Sequence, residues 1–243
     1  MLPSEAQWIG ARLAELDANS ISPVLELGSS TQEFRRFAQP HIYQWIDQPL
    51  INRGISIVYC DSKSGSGIDI SGNIFDAAIQ NRIRSVQPNC MLCCNIFEHV
   101  TDRAEFASIC DSLLAPGACL LVTVPYSYPL HFDPIDTYFR PTPGEVHQLF
   151  PNYELLASDI VASGSYSKEL FSNLGALPVK LKAIVKSLIR PTRPRNWAIV
   201  NHRLLWLFRR YKVSAVLLRK RKHAPMGRLH LLVAPAGERT KSG

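Results

Sequence analysis

The sequence predicts an α/β protein built on a doubly wound, mostly parallel sheet. Apolar runs of strand length alternate four times with segments of helical spacing, and these runs end at glycine, proline or polar residues. The chain has 243 residues, of which 46% are hydrophobic, so it can bury a large core. In a sheet of this kind, ligands bind at the carboxyl ends of the strands.

The first strand is predicted at residues 24–27, a short apolar run suited to a central strand that is covered on both faces. Gly28 and two serines follow, which removes side-chain bulk where a ligand would touch the backbone. Glu26 is the one charged residue in the run. A carboxylate at that depth requires a satisfied hydrogen-bond network or a ligand that carries donors.

Further strands are predicted at residues 55–60, 68–70, 90–94, 119–124, 153–161 and 229–234. Asp61 ends the first of these, at the place where nucleotide-binding α/β folds hold ribose hydroxyls with an acid. Asp69 lies in the next strand, and Asn95 follows the buried run 90–94. Because parallel strands end at the same edge of a sheet, these side chains and Gly28 are expected to gather there.

Helical spacing of apolar residues predicts helices at residues 4–18, 74–87, 102–114 and 143–150, and a helix-like segment at 32–38 that Pro40 ends. Ser4 is the predicted N-cap of the first helix.

Charge is strongly segregated along the chain, although the net charge is only +7. Residues 1–169 carry 10 Lys/Arg and 19 Asp/Glu, whereas residues 170–243 carry 17 Lys/Arg and a single acid, Glu238. The second part is therefore expected to face an anionic partner or to lie against the acidic first part.

The basic residues fall in a predicted helical insertion before the last strand. The predicted organisation is a core at 1–162, the insertion at 163–226, and a last strand and tail at 227–243. Amphipathic basic helices are predicted at 178–190 and 203–221. Such helices suit either a lid on the domain or, over residues 178–222, a peripheral contact with an anionic membrane. Nucleic-acid binding is disfavoured, because no aromatic residues are interleaved with the basic ones in a recognisable module.

Neither a secretory signal nor an apolar run of membrane-spanning length is recognisable, so a cytoplasmic location is expected. Six cysteines lie mostly in apolar runs, which favours reduced thiols packed in the core. The spacing of Cys90 and Cys93 would allow zinc or redox chemistry, but a second ligand pair is missing, so core packing is the favoured interpretation.

Five short motifs together resemble class I S-adenosylmethionine-dependent methyltransferases from residue 24 to residue 149. The stretch Val-Leu-Glu-Leu-Gly-Ser from residue 24 is similar to the family's first motif, Asp61 to its ribose-binding acid, and residues 68–73 to its third-strand segment. Residues 95–100, Asn-Ile-Phe-Glu-His-Val, and residues 114–118, Leu-Ala-Pro-Gly-Ala, resemble the family's motifs on either side of the following helix. Residues 124–142 resemble the methyltransferase type 11/23 branch of this family, whose members often accompany polysaccharide biosynthesis.

The resemblance implies S-adenosylmethionine as cofactor and methyl transfer to a small-molecule or glycan-like acceptor, with oxygen as the expected acceptor atom. It implies that Glu26 faces the methionine ammonium, that Gly28 and Ser30 line the backbone approach and that Asp61 takes the ribose hydroxyls. Asp69 and Ile70 would lie beside the adenine, and Asn95 is a further cofactor-binding candidate at the same edge of the sheet. For Asp69, a local turn or capping role is the alternative. The family's second glycine is Ser30 in this chain.

On the acceptor side, the candidate catalytic residues are His131, Asp133 and His99. His131 and Asp133 lie in a proline-bounded loop that could reach a bound substrate, and histidine is readily poised as a base near neutral pH. His99 also suits a role in orienting the loop after the fourth strand. Asp136 and Arg140 are further candidates on the acceptor side, and their spacing of four also suits a structural ion pair at the start of a helix. No metal site is predicted, since no ligand spacing supports one.

Two other functions remain open at this point. A nicotinamide dinucleotide-dependent oxidoreductase would share the strand, the glycine turn and the acid, but it would normally show a full G-x-G-x-x-G. A degenerate methyltransferase fold that serves as a binding or scaffold protein would be consistent with the loss of the second glycine.

Overall fold

The computed structural model describes residues 1–129, 135–165 and 209–222, which form one seven-stranded sheet flanked by helices. The strands are β1 (Val24–Leu27), β2 (Ile57–Asp61), β3 (Ile70–Ser71), β4 (Cys90–Cys94), β5 (Cys119–Ser127), β6 (Tyr153–Ser165) and β7 (Arg210–Lys220). Their order is β3-β2-β1-β4-β5-β7-β6. The first five strands are parallel, and β7 is antiparallel to both β5 and β6.

The helices are α1 (Pro3–Ala14), α2 (Ala18–Ile21), α3 (Pro40–Ile42), α4 (Gln48–Asn52), α5 (Ala77–Val86), α6 (Arg103–Leu113) and α7 (Pro143–Gln148). Two π-helical turns, Phe34–Ala38 and Tyr43–Asp47, and a 3₁₀ turn, Phe97–His99, complete the described elements.

Helices cover both faces of the sheet, as a doubly wound fold requires. On one face, Ile9 and Leu13 of α1 pack with Leu50 of α4 and Leu92 of β4. On the other face, α5, α6 and α7 contribute Ile83, Phe106 and Val146 to a cluster with Leu25, Met91 and Leu120. The predicted fold class, a doubly wound and mostly parallel Rossmann-like sheet, is therefore confirmed.

The predicted N-cap of the first helix was wrong. The helix begins at Pro3, so that Leu2 is the N-cap and Ser4 lies inside the first turn. The Glu5 carboxylate accepts a hydrogen bond from the Leu2 backbone N–H at 2.9 Å, and the Ser4 hydroxyl donates instead to the Ala162 carbonyl of β6. Proline at the first helical position sets the start of this helix.

The predicted second basic helix, 203–221, was also wrong, because its described part is strand β7. β7 fills a slot between β5 and β6, so its central residues are buried on both faces, including Ser214 and Ala215 at 0% exposure. In a strand buried on both faces, apolar residues follow one another without alternation, and periodicity alone does not distinguish it from a helix.

The predicted boundaries of the basic insertion change accordingly. β6 continues to Ser165, beyond the predicted core limit of 162, and β7 takes the place that the sequence assigned to residues 229–234. The segment between the two strands is therefore 166–209, not 163–226. The predicted helix at 178–190 and the predicted strand at 229–234 lie outside the described residues.

None of the helices within the described ranges is long and apolar enough to cross a membrane.

Candidate functional site

The carboxyl ends of β2, β1 and β4 lie side by side, and they bring together Asp61, Gly28 and Asn95, which the sequence predicted to share one edge. The Gly28 N–H donates to the Cys60 carbonyl at 2.8 Å, and the Ser30 N–H donates to Oδ2 of Asp61 at 2.8 Å. Along the chain, strands are added first on one side of β1, as β2 and β3, and then on its other side, as β4 and β5. The position between β1 and β4 is therefore the topological switch point, where α/β sheets bind ligands.

The turn after β1 exposes backbone because of its two left-handed residues. Gly28 has φ +68°, and a Cβ built on it would lie 3.1 Å from Cδ1 of Ile96. Ser30 has φ +57°, a conformation that costs a non-glycine residue roughly 1–2 kcal/mol. Its N–H is bound by Asp61 and its carbonyl by Arg35 at 2.6 Å, so these two contacts hold Ser30 in the glycine-like conformation.

The two carboxylate oxygens of Asp61 accept backbone hydrogen bonds from two loops, the one after β1 and the one after β2. Oδ2 accepts from Ser30, and Oδ1 accepts from the Lys63 N–H at 2.9 Å. The side chain is half-buried at the end of β2. Oδ1 also accepts from the Ser62 hydroxyl at 3.4 Å, so Oδ2 is the oxygen that can still accept a second hydrogen bond, from a hydroxyl of a ligand.

Glu26 is a buried carboxylate with spare hydrogen-bonding capacity. It is 6% exposed, and Oε2 has no hydrogen-bond partner among the described residues. Burial and the nearby carboxylates of Asp47 and Asp61 raise the pKa of Glu26 to about 8, against the opposing effect of Arg35. A cationic ligand at this point would both supply the missing donor and favour the ionised form.

Arg35 is a part of the site that sequence reasoning missed. Its guanidinium is 2% exposed, donates to the carbonyls of Ser30 and Gly67, and lies 3.6 Å from the centre of the Tyr59 ring. Nε is 3.4 Å from Oδ2 of Asp47. In the sequence, Arg35 is one of two adjacent arginines in a mixed segment, and nothing there shows that it is buried beneath the turn.

Asp69 and Ile70 have local structural contacts. Oδ2 of Asp69 accepts from the Tyr59 N–H of β2 at 2.8 Å, and the Asp69 N–H donates to the Tyr59 carbonyl at 2.9 Å. These bonds correspond to the local role that the sequence left open for Asp69. Ile70 is 5% exposed and packs in the core cluster with Cys60 and Ile79. The contact of Asp69 and Ile70 with adenine stays a prediction.

Glu5 of helix α1 also lies at this edge of the sheet, which the sequence did not predict. It is 1% exposed, and its Oε1 accepts from Nδ2 of Asn95 at 2.7 Å and from Oγ1 of Thr123 at 2.6 Å. Asn95 has φ +53°, and its N–H donates to the Thr123 carbonyl at 2.8 Å. The side chain of Asn95 is therefore fixed between β4, β5 and α1.

His99 connects the loop after β4 to the loop after β5. Its Nδ1 lies 2.8 Å from the Ile135 carbonyl, and Nε2 is 3.8 Å from Oε1 of Glu98. Since a carbonyl only accepts, Nδ1 carries the proton. Thr137 binds the Glu98 carbonyl through both its N–H and its hydroxyl, at 2.8 and 2.9 Å. These contacts favour the orienting role for His99.

The predicted ion pair between Asp136 and Arg140 is confirmed, with Nη1 of Arg140 3.0 Å from Oδ1 of Asp136. The pair lies before α7, and not on a helix as the spacing predicted. Arg140 also donates to the carbonyls of Tyr128 and Pro129, so it braces the two ends of this loop. His131 and Asp133 lie outside the described residues.

Cys90 and Cys93 pack in different clusters, on opposite faces of the sheet. Residues three apart in a strand point to opposite faces, so these thiols cannot bind one metal together. Burial raises the pKa of the Cys93 thiol well above its usual range. The interpretation as core residues is therefore confirmed. Within the described ranges, no group of three or more potential metal-binding side chains occurs.

No family model matches the chain, and no curated protein matches it significantly in sequence. Solved structures do match. A SAM-dependent methyltransferase from Archaeoglobus fulgidus is 16% identical over 88% of this chain and 94% of its own, with a TM-score of 0.46. Coclaurine N-methyltransferase, bound to N-methylheliamine and SAH, is 12% identical over 90% of this chain and 72% of its own, with a TM-score of 0.49.

Phosphoethanolamine N-methyltransferase 2 from Haemonchus contortus, in complex with S-adenosyl-L-methionine, is 10% identical. The match covers 89% of this chain and 52% of that protein, with a TM-score of 0.46. At such identities and TM-scores, the similarity does not identify an activity, which has to be inferred from the site.

Proposed function

We propose that the chain is an S-adenosylmethionine-dependent methyltransferase that acts on a small-molecule or glycan-like acceptor, at oxygen. The main supporting observation is Glu26, a buried carboxylate with an unpartnered oxygen at the carboxyl end of β1. A cofactor with an ammonium group supplies the donor that this oxygen lacks. The left-handed turn at Gly28 and Ser30, with Asp61 on the next strand, offers exposed backbone and a carboxylate acceptor to the rest of a nucleoside.

The residues of this edge would hold the cofactor as the sequence motifs imply. Glu26 binds the ammonium, Asp61 accepts from the ribose hydroxyls, and the backbone at Gly28 and Ser30 allows close approach. When bound, S-adenosylmethionine supplies an electrophilic methyl group. The protein's main task is then to align the acceptor in line with that group and to take a proton from an acceptor hydroxyl. His131, with Asp133 beside it in sequence, stays the predicted base.

The alternatives have weaker support. A dinucleotide-binding fold would normally show the full G-x-G-x-x-G, whereas Ser-Ser-Thr follows Gly28 in this chain. A scaffold without cofactor would explain Ser30 in place of glycine. However, the contacts of Asp61 and Arg35 keep Ser30 in the same conformation that glycine would adopt.

Titration of the purified protein with S-adenosylmethionine and, separately, with a nicotinamide dinucleotide distinguishes the three functions. We expect calorimetric binding of the first ligand alone. Binding of the dinucleotide alone would favour the oxidoreductase, and binding of neither would favour the scaffold.

Asp61→Ala is expected to weaken binding of S-adenosylmethionine by about 1–3 kcal/mol, because it removes the ribose acceptor and releases the Ser30 N–H. Asp17→Ala is a matched control. Asp17 also accepts a backbone N–H, from Ser20 at 2.9 Å, but it caps α2, away from this edge. The control should lose about 1 kcal/mol of stability and keep its affinity. Equal affinity of both variants in calorimetry would contradict the assignment of Asp61.

Binding of S-adenosylmethionine is also expected to release a proton from Glu26. With a pKa near 8, Glu26 is mostly protonated at pH 6, and an ammonium ligand favours its ionised form. Affinity should therefore rise from pH 6 to pH 8, by at most about tenfold per pH unit. Calorimetry at pH 7 in two buffers of different ionisation enthalpy measures the released proton.

Glu26→Gln should abolish this proton release and lower the affinity at pH 8. Glu98→Gln is the control, because burial raises the pKa of Glu98 to about 8 as well, and this variant should still release the proton. Proton release that persists in Glu26→Gln would exclude Glu26 as the ammonium acceptor.

The membrane contact predicted for residues 178–222 now rests on residues 178–209, 221 and 222, because residues 210–220 form strand β7 of the sheet. It stays a prediction of salt-sensitive attachment to anionic lipid, driven by roughly 1 kcal/mol per engaged basic side chain.

A further inference from the structure

An open cleft of about 600 Å³ lies where β5 ends and β7 begins. It is lined by Tyr126, Ser127, Arg209, Arg210 and Lys212. Because β7 runs antiparallel to β5, its first residues lie at the same edge as the carboxyl ends of the parallel strands. The cleft therefore opens on the edge that carries the candidate cofactor site.

Three cationic side chains line this cleft, and two of them, Arg210 and Lys212 of β7, are not paired with an acidic residue in the sheet. Arg210 and Lys212 are two residues apart in a strand, so they share one face. Arg210 is paired with Ser165, and Lys212 with Ala162 and Ser127. By contrast, at the other end of β7, Arg219 lies opposite Glu154, and Lys220 forms an ion pair with Asp111 at 2.9 Å.

A β-bulge in β5 places two hydroxyl-bearing side chains in the cleft beside Arg210 and Lys212. Pro125 is paired with Val213 and Ser127 with Lys212, so Tyr126 is an extra residue in β5. Bulges of this kind redirect side chains and are common next to active sites. Tyr126 and Ser127 consequently both line the cleft, and each adds a hydrogen-bond donor.

We propose that this cleft binds a phosphate group of the methyl acceptor, an inference that rests on the proposed methyltransferase function. The charges of Arg210 and Lys212 match that of a phosphomonoester near neutral pH, and together with the two hydroxyls they supply donors for its three free oxygens. The fork of Arg210 can bind two of these oxygens at once, whereas Lys212 acts as a point charge.

The position of the cleft also limits the size of the acceptor. Tyr126 lies three residues beyond Thr123, which is bound to Asn95, so the phosphate would be on the order of 10 Å further along β5. β5 is two strands from β1, again about 10 Å across the sheet. The acceptor is therefore a phosphorylated molecule whose reacting hydroxyl and phosphate lie at opposite ends, on the order of 10 Å or more apart.

The test compares Arg210→Gln/Lys212→Gln with Arg221→Gln/Lys222→Gln. The control removes the same charge just past the other end of β7, where Arg221 and Lys222 are exposed. Binding of inorganic phosphate is measured by NMR titration at low salt. We expect the wild type and the control to bind equally, and the cleft variant to bind at least tenfold more weakly.

Two further measurements complete the test. The first identifies the source of the phosphate, and the second tests the proposed function independently. Sedimentation with anionic and neutral phospholipid vesicles shows whether a lipid headgroup is the ligand: loss of anionic-vesicle binding in the cleft variant alone supports the cleft and assigns it to a headgroup. Equal behaviour of both variants with phosphate and with vesicles would overturn the proposal.

Affinity for S-adenosylhomocysteine, measured in parallel, should be the same in both variants. If the wild type does not bind this ligand, the proposed function fails independently of the phosphate result.

Discussion

A Gly28→Val variant is expected to lose at least about a hundredfold of its affinity for S-adenosylmethionine, which corresponds to roughly 2.7 kcal/mol. Gly28 has φ +68°, which a β-branched residue rarely adopts, and its Cβ would lie 3.1 Å from the side chain of Ile96. Cδ1 of Ile96 can give way by a few tenths of an ångström, so it is the strain of the left-handed backbone that moves the turn on which the ligand would lie. Calorimetric titration measures the loss.

Gly54→Val is the control for backbone strain. Gly54 has a nearly equal φ of +72°, but a Cβ there would meet no atom within 4 Å, and the residue lies before β2, not at its carboxyl end. The two variants should be destabilised by comparable strain, whereas Gly54→Val should keep its affinity. A Gly28→Val protein that folds and binds normally would place the cofactor elsewhere.

Gly10→Ala should be the most destabilising of the single substitutions considered, at about 3 kcal/mol. Gly10 lies on the face of α1 that packs against the π-helical turn Tyr43–Asp47, and a Cβ there would be 2.1 Å from the Trp45 carbonyl oxygen. Backbone, rather than a flexible side chain, has to move. Thermal unfolding should show a midpoint lowered by roughly 6–12 °C.

Gly144→Ala provides the matched control in α7. Its Cβ would have its nearest contact, Oγ1 of Thr142, at 4.0 Å, so the higher helix propensity of alanine should leave the protein unchanged or stabilise it by about 0.5–1 kcal/mol. If both variants unfold at the same temperature, α1 does not pack tightly against Trp45.

The residues that the sequence correctly placed together at one edge of the sheet belong to local patterns. Glu26, Gly28 and Asp61 lie at the ends of short apolar runs, and parallel pairing of those runs is enough to bring them to one edge. Their chemistry was recognisable because a carboxylate inside an apolar run and a glycine directly after it are unusual.

The residues that the sequence missed depend on packing between distant segments. Glu5 is fixed by Asn95 and Thr123, which are 90 and 118 residues away. Arg35 is buried by contacts with Gly67 and Tyr59, 32 and 24 residues further along the chain. No spacing within either segment indicates such partners, because both residues lie in helix-like stretches where a charged side chain is usually solvated.

The position of β7 between β5 and β6 also affects the order in which the strands can assemble during folding. Among the described strands, β6 pairs with β7 alone, and β5 pairs with β7 on the side away from β4. During synthesis, β1 to β5 can form their sheet first, whereas β6 has to wait for residues 210–220 to emerge. The closing of the intervening segment, 166–209, costs entropy before the two longest strands of the sheet can pair. The last step of folding therefore builds the edge that holds Arg210 and Lys212.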